Sequence, residues 1–275
     1  MASLERLWLG ILTRDIEDAG TDDRIVLIVN QNGVDVTHAT FGDTRQEDLE
    51  RGKANLYTLD AQSISTPDIN NSSVRVGLRG ADAWRPEHLV LWGRVPFQQT
   101  FSPYYPVAIE LDITTTLSTD ANEGNLSIPM RTVSRGDSSM VINRLLVLMT
   151  TADVEDAGTN SRIELVTTIQ GVSTIYAIPE TSQDDQERGE ANLYLLPVTN
   201  PFTRRALATG SLALRIRGDD MWIPGSIFVF GLNNAAGRPT SMVPLVHEAG
   251  WSPIEGLSTD PNEGVASVAL PIVEL

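Results

Sequence analysis

The sequence has no cysteine among its 275 residues, which excludes disulfides, thiolate metal ligands and cysteine nucleophiles. Basic side chains are scarce: 20 Lys and Arg stand against 36 Asp and Glu, giving a formal charge of −16 and a pI near 4.5. That balance argues against a nucleic-acid partner, because such binding depends on Lys and Arg neutralising phosphates. It would also repel an anionic membrane unless a bound cation or exposed apolar side chains supplied the attraction. No stretch approaches the roughly 20 apolar residues of a membrane helix. The N-terminus, Met1-Ala-Ser-Leu-Glu-Arg-Leu-Trp, lacks the basic start and apolar run of a signal peptide. A cytoplasmic location is therefore the default expectation, and non-classical export the alternative. Histidine is nearly absent too, with only His38, His88 and His247. No Gly-x-Ser-x-Gly elbow, His-Glu-x-x-His pair or P-loop accompanies them, so the expectation is a protein that is not an enzyme.

What the sequence does contain is a duplication. Asp18-Ala-Gly-Thr-Asp-Asp-Arg reappears as Asp156-Ala-Gly-Thr-Asn-Ser-Arg, and Asp82-Ala-Trp-Arg-Pro as Asp220-Met-Trp-Ile-Pro. Glu-Arg-Gly-x-Ala-Asn-Leu-Tyr occurs at Glu50 and Glu187, and Leu-Ser-Thr-Asp-x-Asn-Glu-Gly at Leu117 and Leu257. The offset stays near 138 residues throughout, as between Asp18 and Asp156, too long a period for a solenoid, so each copy should fold by itself. The expected domains are residues 1–133 and 140–275, joined by the polar linker 134–139. The 41% hydrophobic content is enough for two real cores.

Within copy one, Leu7 to Thr13 reads as a buried strand, followed by an acidic loop from Arg14 and a β-branched strand from Arg24 to Asn30. Gln31-Asn-Gly is a hairpin turn signal leading into Val34 to Phe41. A polar loop from Gly42 to Gly52 precedes strands at Ala54 to Leu59, Val74 to Arg79, His88 to Gly93 and Asn125 to Arg131. Copy two repeats this order. Seven or eight short strands with Gly, Asn and Asp turns, and no long amphipathic helix, predict an all-β fold: two antiparallel β-sandwiches of about eight strands each.

In each copy two stretches roughly 60 residues apart each pair a carboxylate with a turn whose backbone carbonyls could face a common point, the donor chemistry a hard cation such as calcium requires. The bland alternative is that Asp- and Gly-rich turns only cap strand ends. With the acidic loop, the Arg-Gly-x-x-Asn-x-Tyr step and the Asp-x-Trp-x-Pro loop in order, each copy resembles the PLAT or lipoxygenase-homology family of eight-stranded β-sandwiches. Leu117 and Leu257 stand where that family usually has Trp, and no lipase, lipoxygenase or phosphodiesterase segment accompanies the two modules. The resemblance implies calcium ligands at Asp18, Gly20, Asp82 and Ala83 in copy one, and at Asp156, Gly158, Asp220 and Met221 in copy two. Asn160 and Ser161 replace Asp22 and Asp23, so the second site should be weaker. A looser correspondence suggests a further ion near Asp43 and Asp48, and near Asp184 and Asp185.

The same resemblance implies that Trp84 and Trp222 contact lipid or a partner, an interface that suits an amphipathic ring; the alternative is a ring packed over the sandwich end. Trp8, Trp92 and Trp251 lie in or beside apolar runs and are expected in the interior. His88 has Ser226 at its counterpart, so copy two cannot repeat any chemistry at that position. Arg135-Gly-Asp and Arg217-Gly-Asp read as chance tripeptides rather than adhesion motifs. The expected function is a non-enzymatic tandem calcium-binding module that engages a lipid surface or a partner protein. The alternative is a structural protein that self-assembles into a homopolymer, a shell or a surface layer, with a homo-oligomer as the partner it implies.

Overall fold

A computed structural model describes residues 3–41, 49–60, 64–96, 103–179, 186–234, 238–249 and 256–274. The fold is nearly all β, as the short alternating runs imply. It divides into two compact units, Met1–Arg135 and Gly136–Leu275.

Unit 1 contains β1 (Arg6–Thr13), β2 (Arg24–Gln31), β3 (Val34–Phe41), β4 (Ala54–Asp60), a 3-10 turn at Thr66–Asn71, β5 (Ser72–Arg79), β6 (Pro86–Arg94), β7 (Tyr104–Glu110), β8 (Ser127–Thr132) and the short β9 (Ser134–Arg135). All pairings among β1 to β8 are antiparallel. One sheet runs β4-β1-β6-β7 and the other β3-β2-β5-β8. Strand β8 belongs to both: Ser127 to Met130 pair with β5, whereas Arg131 and Thr132 pair with β7. One strand that changes sheets in this way closes a corner of a sandwich. Leu7, Leu9 and Ile11 of β1, Ile25, Leu27 and Val29 of β2, and Val74, Val76 and Leu78 of β5 form the core. Their period of two is the strand period, and each such side chain contributes about 1.5–3 kcal/mol when fully buried. Trp8 and Trp92 are also buried, but they occupy the other face of the β1 and β6 pair and stack at 6.0 Å between ring centroids.

Unit 2 repeats the plan with β10 (Val141–Thr151), β11 (Arg162–Ile169), β12 (Val172–Ala177), β13 (Ala191–Thr203), α1 (Arg204–Ala208), β14 (Ser211–Arg217), β15 (Pro224–Asn233), β16 (Ser241–Ala249), β17 (Gly256–Leu257), β18 (Gly264–Val265) and β19 (Ser267–Ala269). Its sheets run β13-β10-β15-β16 and β12-β11-β14-β19. Leu145, Val147 and Met149 face Ile163, Leu165, Leu214 and Ile216 within the core.

Strands β7 and β16 go beyond the runs read from the sequence, and each carries a proline. Pro106 and Pro244 interrupt them, and a central proline argues against a strand. Each proline sits beside a register shift, opposite Trp92 and Phe230 respectively, where the ladder tolerates a missing N–H. The loop at Asp43 and Asp48, the pair Asp184 and Asp185, and Trp251 lie outside the described residues.

Candidate metal-binding loops

In unit 1 the acidic loop leaves β1 and enters β2, and the Asp82 loop leaves β5 and enters β6. Antiparallel pairing of β2 with β5 places both loops at one end of the sandwich, with Arg24 opposite Arg79. The loops are then tied directly. The Ala19 carbonyl accepts from the Arg85 N–H (3.0 Å), and the Arg14 N–H donates to the Arg85 carbonyl (2.9 Å). Asp23 Oδ2 accepts from the Asp82 N–H at 2.7 Å, and Asp82 Oδ1 accepts from the Ala83 N–H at 2.8 Å. Two further segments close around them. Trp84 and Leu117 exchange backbone hydrogen bonds of 2.8 Å each, and Gly20 lies against Leu49 to Arg51, where an added Cβ would stand 3.2 Å from the Leu49 carbonyl oxygen. Gly80 has φ +153, and a Cβ there would overlap the Asp23 carboxylate at 1.6 Å, so this clamp requires glycine.

Unit 2 gathers the same segments with one reversal. Ile223 N–H donates to the Ala157 carbonyl (2.9 Å) and Ala152 N–H to the Ile223 carbonyl (2.9 Å). Position 161 is Ser, so the clamping carboxylate comes from the opposite loop: Asp220 Oδ2 accepts from the Asn160 N–H at 2.7 Å and from Thr159 Oγ1 at 3.1 Å. In unit 1 the first loop holds the second. In unit 2 the second holds the first.

The loops that carry the predicted ligand positions therefore lie at one end of each unit, Asp18 and Gly20 on one loop and Asp82 and Ala83 on the other, and likewise Asp156 and Gly158, and Asp220 and Met221. The four aspartates are exposed; Gly20, Ala83, Gly158 and Met221 are half-buried. Asp18 and Asp156 adopt left-handed backbone, φ 54 and 56, a conformation Asp tolerates better than most residues. Among the described residues no three His, Asp or Glu side chains converge as a metal site would need, so any cation here would depend on carbonyl oxygens for most of its shell. The donor set fits a hard cation better in unit 1, because Asp220 accepts two hydrogen bonds from its own protein, from the Asn160 N–H and Thr159 Oγ1, where Asp82 accepts one, from the Ala83 N–H. Surface pairs flank both loops at equal distance, Arg51 with Asp15 and Arg188 with Asp153, each 2.8 Å.

Trp84 and Trp222 occupy positions at odds with the expected lipid contact. Both are 0% exposed, and each indole N–H donates to a buried threonine: Trp84 to Thr13 Oγ1 (3.0 Å) and Trp222 to Thr151 Oγ1 (2.9 Å). A register shift at Leu12/Thr13 and at Thr150/Thr151 turns these threonines inward. Thr13 Oγ1 also donates to the Leu49 carbonyl (3.2 Å), so one relay links three segments of the site. The signal for this role is present in the sequence only as a Thr ending the first strand of both copies. His88 is buried beside this end, its Nδ1 accepting from the Asp112 N–H at 3.2 Å.

A scan against known protein families and a search of curated proteins each found no match. Among solved structures, the alpha toxin from Clostridium absonum is similar over 50% of this chain and 33% of that chain, with 21% identity and a TM-score of 0.38. The chain thus spans about a third of the toxin's length, and at this score the likeness carries no functional argument.

Proposed function

We propose that the protein is a non-enzymatic tandem binding module in which each sandwich takes a calcium ion between its two acidic loops and engages a lipid surface or a partner protein through that end. The observation that carries this reading is the direct hydrogen bonding of the Asp18 loop to the Asp82 loop, and of the Asp156 loop to the Asp220 loop. In unit 1 the carboxylates of Asp18 and Asp82 with the carbonyls of Gly20 and Ala83 would hold the ion, and in unit 2 those of Asp156 and Asp220 with Gly158 and Met221. The ion's part is to neutralise an acidic end and fix two loops. The chain's own part is contact. Ile16 in the first loop and Leu126 beside the Leu117 turn are exposed apolar side chains at this end of unit 1; in unit 2 Val154 is the counterpart of Ile16, and Val265, which stands at the position of Asn125, is exposed as well. They take the role the tryptophans were expected to have.

Two carboxylates per site set the affinity near 10⁻⁴–10⁻³ M, about that of extracellular modules. Two such sites on one chain gain from effective concentration when they engage one surface. Calorimetric titration of calcium into the full chain should give weak binding with two components. Asp18→Ala should remove the tighter component and Asp156→Ala the weaker; Asp156 is chosen because Asp220 also holds Asn160 in place. Unchanged heats in both variants would sink the assignment. In calcium, the pair of substitutions Ile16→Ser and Val154→Ser should reduce co-sedimentation with anionic vesicles several-fold. A large assembly that ignores both calcium and vesicles would support the structural alternative instead.

A further inference from the structure

Strand β13 begins with Ala191 opposite Thr150 and ends with Thr203 opposite Val141, so helix α1, which follows it, lies at the end of unit 2 opposite the acidic loops. Arg204, the first helical residue, is 3% exposed. Its Nη2 donates to the Val273 carbonyl, but its Nε is buried without a hydrogen-bond partner. Among the described residues no carboxylate lies within ion-pair distance of it. Burial holds its pKa below the ordinary arginine value. A buried cation without a counterion is costly, and proteins ordinarily pair or coordinate such charges.

Beside Arg204 is a concavity of about 490 Å³, lined by Ser138, Arg204, Arg205, Ala208, Ile272 and Glu274, within the size range of small-molecule sites. The Arg205 N–H donates to the Ser138 carbonyl at 2.8 Å, which keeps the second guanidinium's residue next to a hydroxyl. Two acids stand nearby. Asp137, engaged by the Ser139 N–H (2.8 Å) and Oγ (2.6 Å), also feels the charge of Arg205, and Glu274 lines the concavity, so the acids bear on Arg205 and the rim rather than on buried Arg204. Ala208 and Ile272 add an apolar wall.

The fold does not require these arginines. Unit 1 makes its corresponding turn, Thr66–Asn71, with Thr66 and Pro67 at the equivalent places. The charge is therefore particular to unit 2, and within a chain of net charge −16 it is a local exception.

We infer that this concavity binds a small organic acid, its carboxylate received by Arg205 and Ser138 over the uncompensated charge of Arg204 and its apolar body set against Ala208 and Ile272. The site is independent of the calcium reading and lies at the other end of unit 2. Benzoate is the probe, inorganic phosphate at matched ionic strength the comparison, and thermal unfolding of the full chain with calorimetric titration the readout. Benzoate should raise the wild-type melting temperature saturably, as a ligand of the native state does, while phosphate should not. Arg205→Gln should weaken benzoate about ten-fold, the effect of one charge-assisted hydrogen bond. Ala208→Trp, at an exposed helical position, should fill the concavity and abolish the response while leaving the ligand-free melting temperature unchanged. The inference is overturned if wild type shows no saturable response, if phosphate matches benzoate, or if Arg205→Gln binds benzoate as well as wild type. It is equally overturned if a folded Ala208→Trp variant still responds.

Discussion

Trp222→Ala should destabilise unit 2 by about 3–5 kcal/mol, and Trp84→Ala should cost unit 1 a similar amount, the range for removing a buried tryptophan. Neither ring has any exposed surface, and each belongs to its unit's hydrophobic core. Truncation leaves a cavity at the loop end and strands a buried threonine hydroxyl, Thr13 or Thr151, without the indole donor. In unit 1 the loss should spread, because Thr13 Oγ1 donates a hydrogen bond to the Leu49 carbonyl and so anchors the segment packed on Gly20. Trp→Phe separates the contributions: most of the volume is kept and only the N–H bond is lost, for about 1–2 kcal/mol. Urea unfolding followed by far-ultraviolet circular dichroism is the measurement, since the substitutions themselves change the fluorescence. A cost within about 0.5 kcal/mol for Trp→Ala, the range of ordinary surface changes, would put the rings back at the surface and revive their role in lipid contact.

The tryptophans show where the sequence stops being informative. Trp84 lies between Asp82 and Arg85, and Trp222 follows Asp219 and Asp220, so local polarity reads as surface. Burial is decided by a threonine 71 residues earlier in the chain, turned inward by a bulge that no local pattern announces. The strands were legible for the opposite reason. Val74, Val76 and Leu78 alternate with Arg75, Gly77 and Arg79, and Leu214 and Ile216 with Arg215 and Arg217, a period that selects the buried face. The placement of both acidic loops at one end follows from the antiparallel pairing of β2 with β5; the loops themselves were legible as Asp- and Gly-rich stretches. The exchange of clamping roles between Asp23 and Asp220 was not. Sequence shows Ser161 where Asp23 stands in the first copy, which predicts a weaker charge, but only the positions of the Asn160 N–H and Thr159 Oγ1 reveal that Asp220 takes over the clamp.

Glu164→Gln should cost about 2–3 kcal/mol at neutral pH, and that cost should vanish in acid. Glu164 sits on the outward side of β11, between the core residues Ile163 and Leu165, and a solvent-facing glutamate would be the natural reading. It is instead 5% exposed, covered by three arginines from two strands. Arg215, directly across the β11 and β14 pair, donates from Nε to Glu164 Oε2 at 2.7 Å, Arg217 Nε reaches the same oxygen at 3.2 Å, and Arg162 Nε lies 3.6 Å from Oε1. Arg162 and Arg217 are themselves cross-strand partners, a like-charge pair that is unfavourable unless the carboxylate stands between them. Removing the charge should cost less than breaking a fully buried ion pair, because Arg162 and Arg217 are half exposed and can rehydrate. Burial alone would raise the Glu164 pKa, but the hydrogen bonds and charges of Arg215 and Arg217 outweigh it and hold the carboxyl below its ordinary 4.5. A carboxyl with a lowered folded pKa stabilises the fold above its unfolded value and loses that contribution as pH falls through the folded value. The wild type and Glu164→Gln curves of unfolding free energy should therefore run parallel above about pH 5 and converge below pH 4.5 as Glu164 takes up its proton. The other carboxylates titrate in both proteins, so the difference between the curves isolates this group. A gap that stays constant down to pH 3 would mean that Glu164 stabilises the sheet by its shape rather than by its charge.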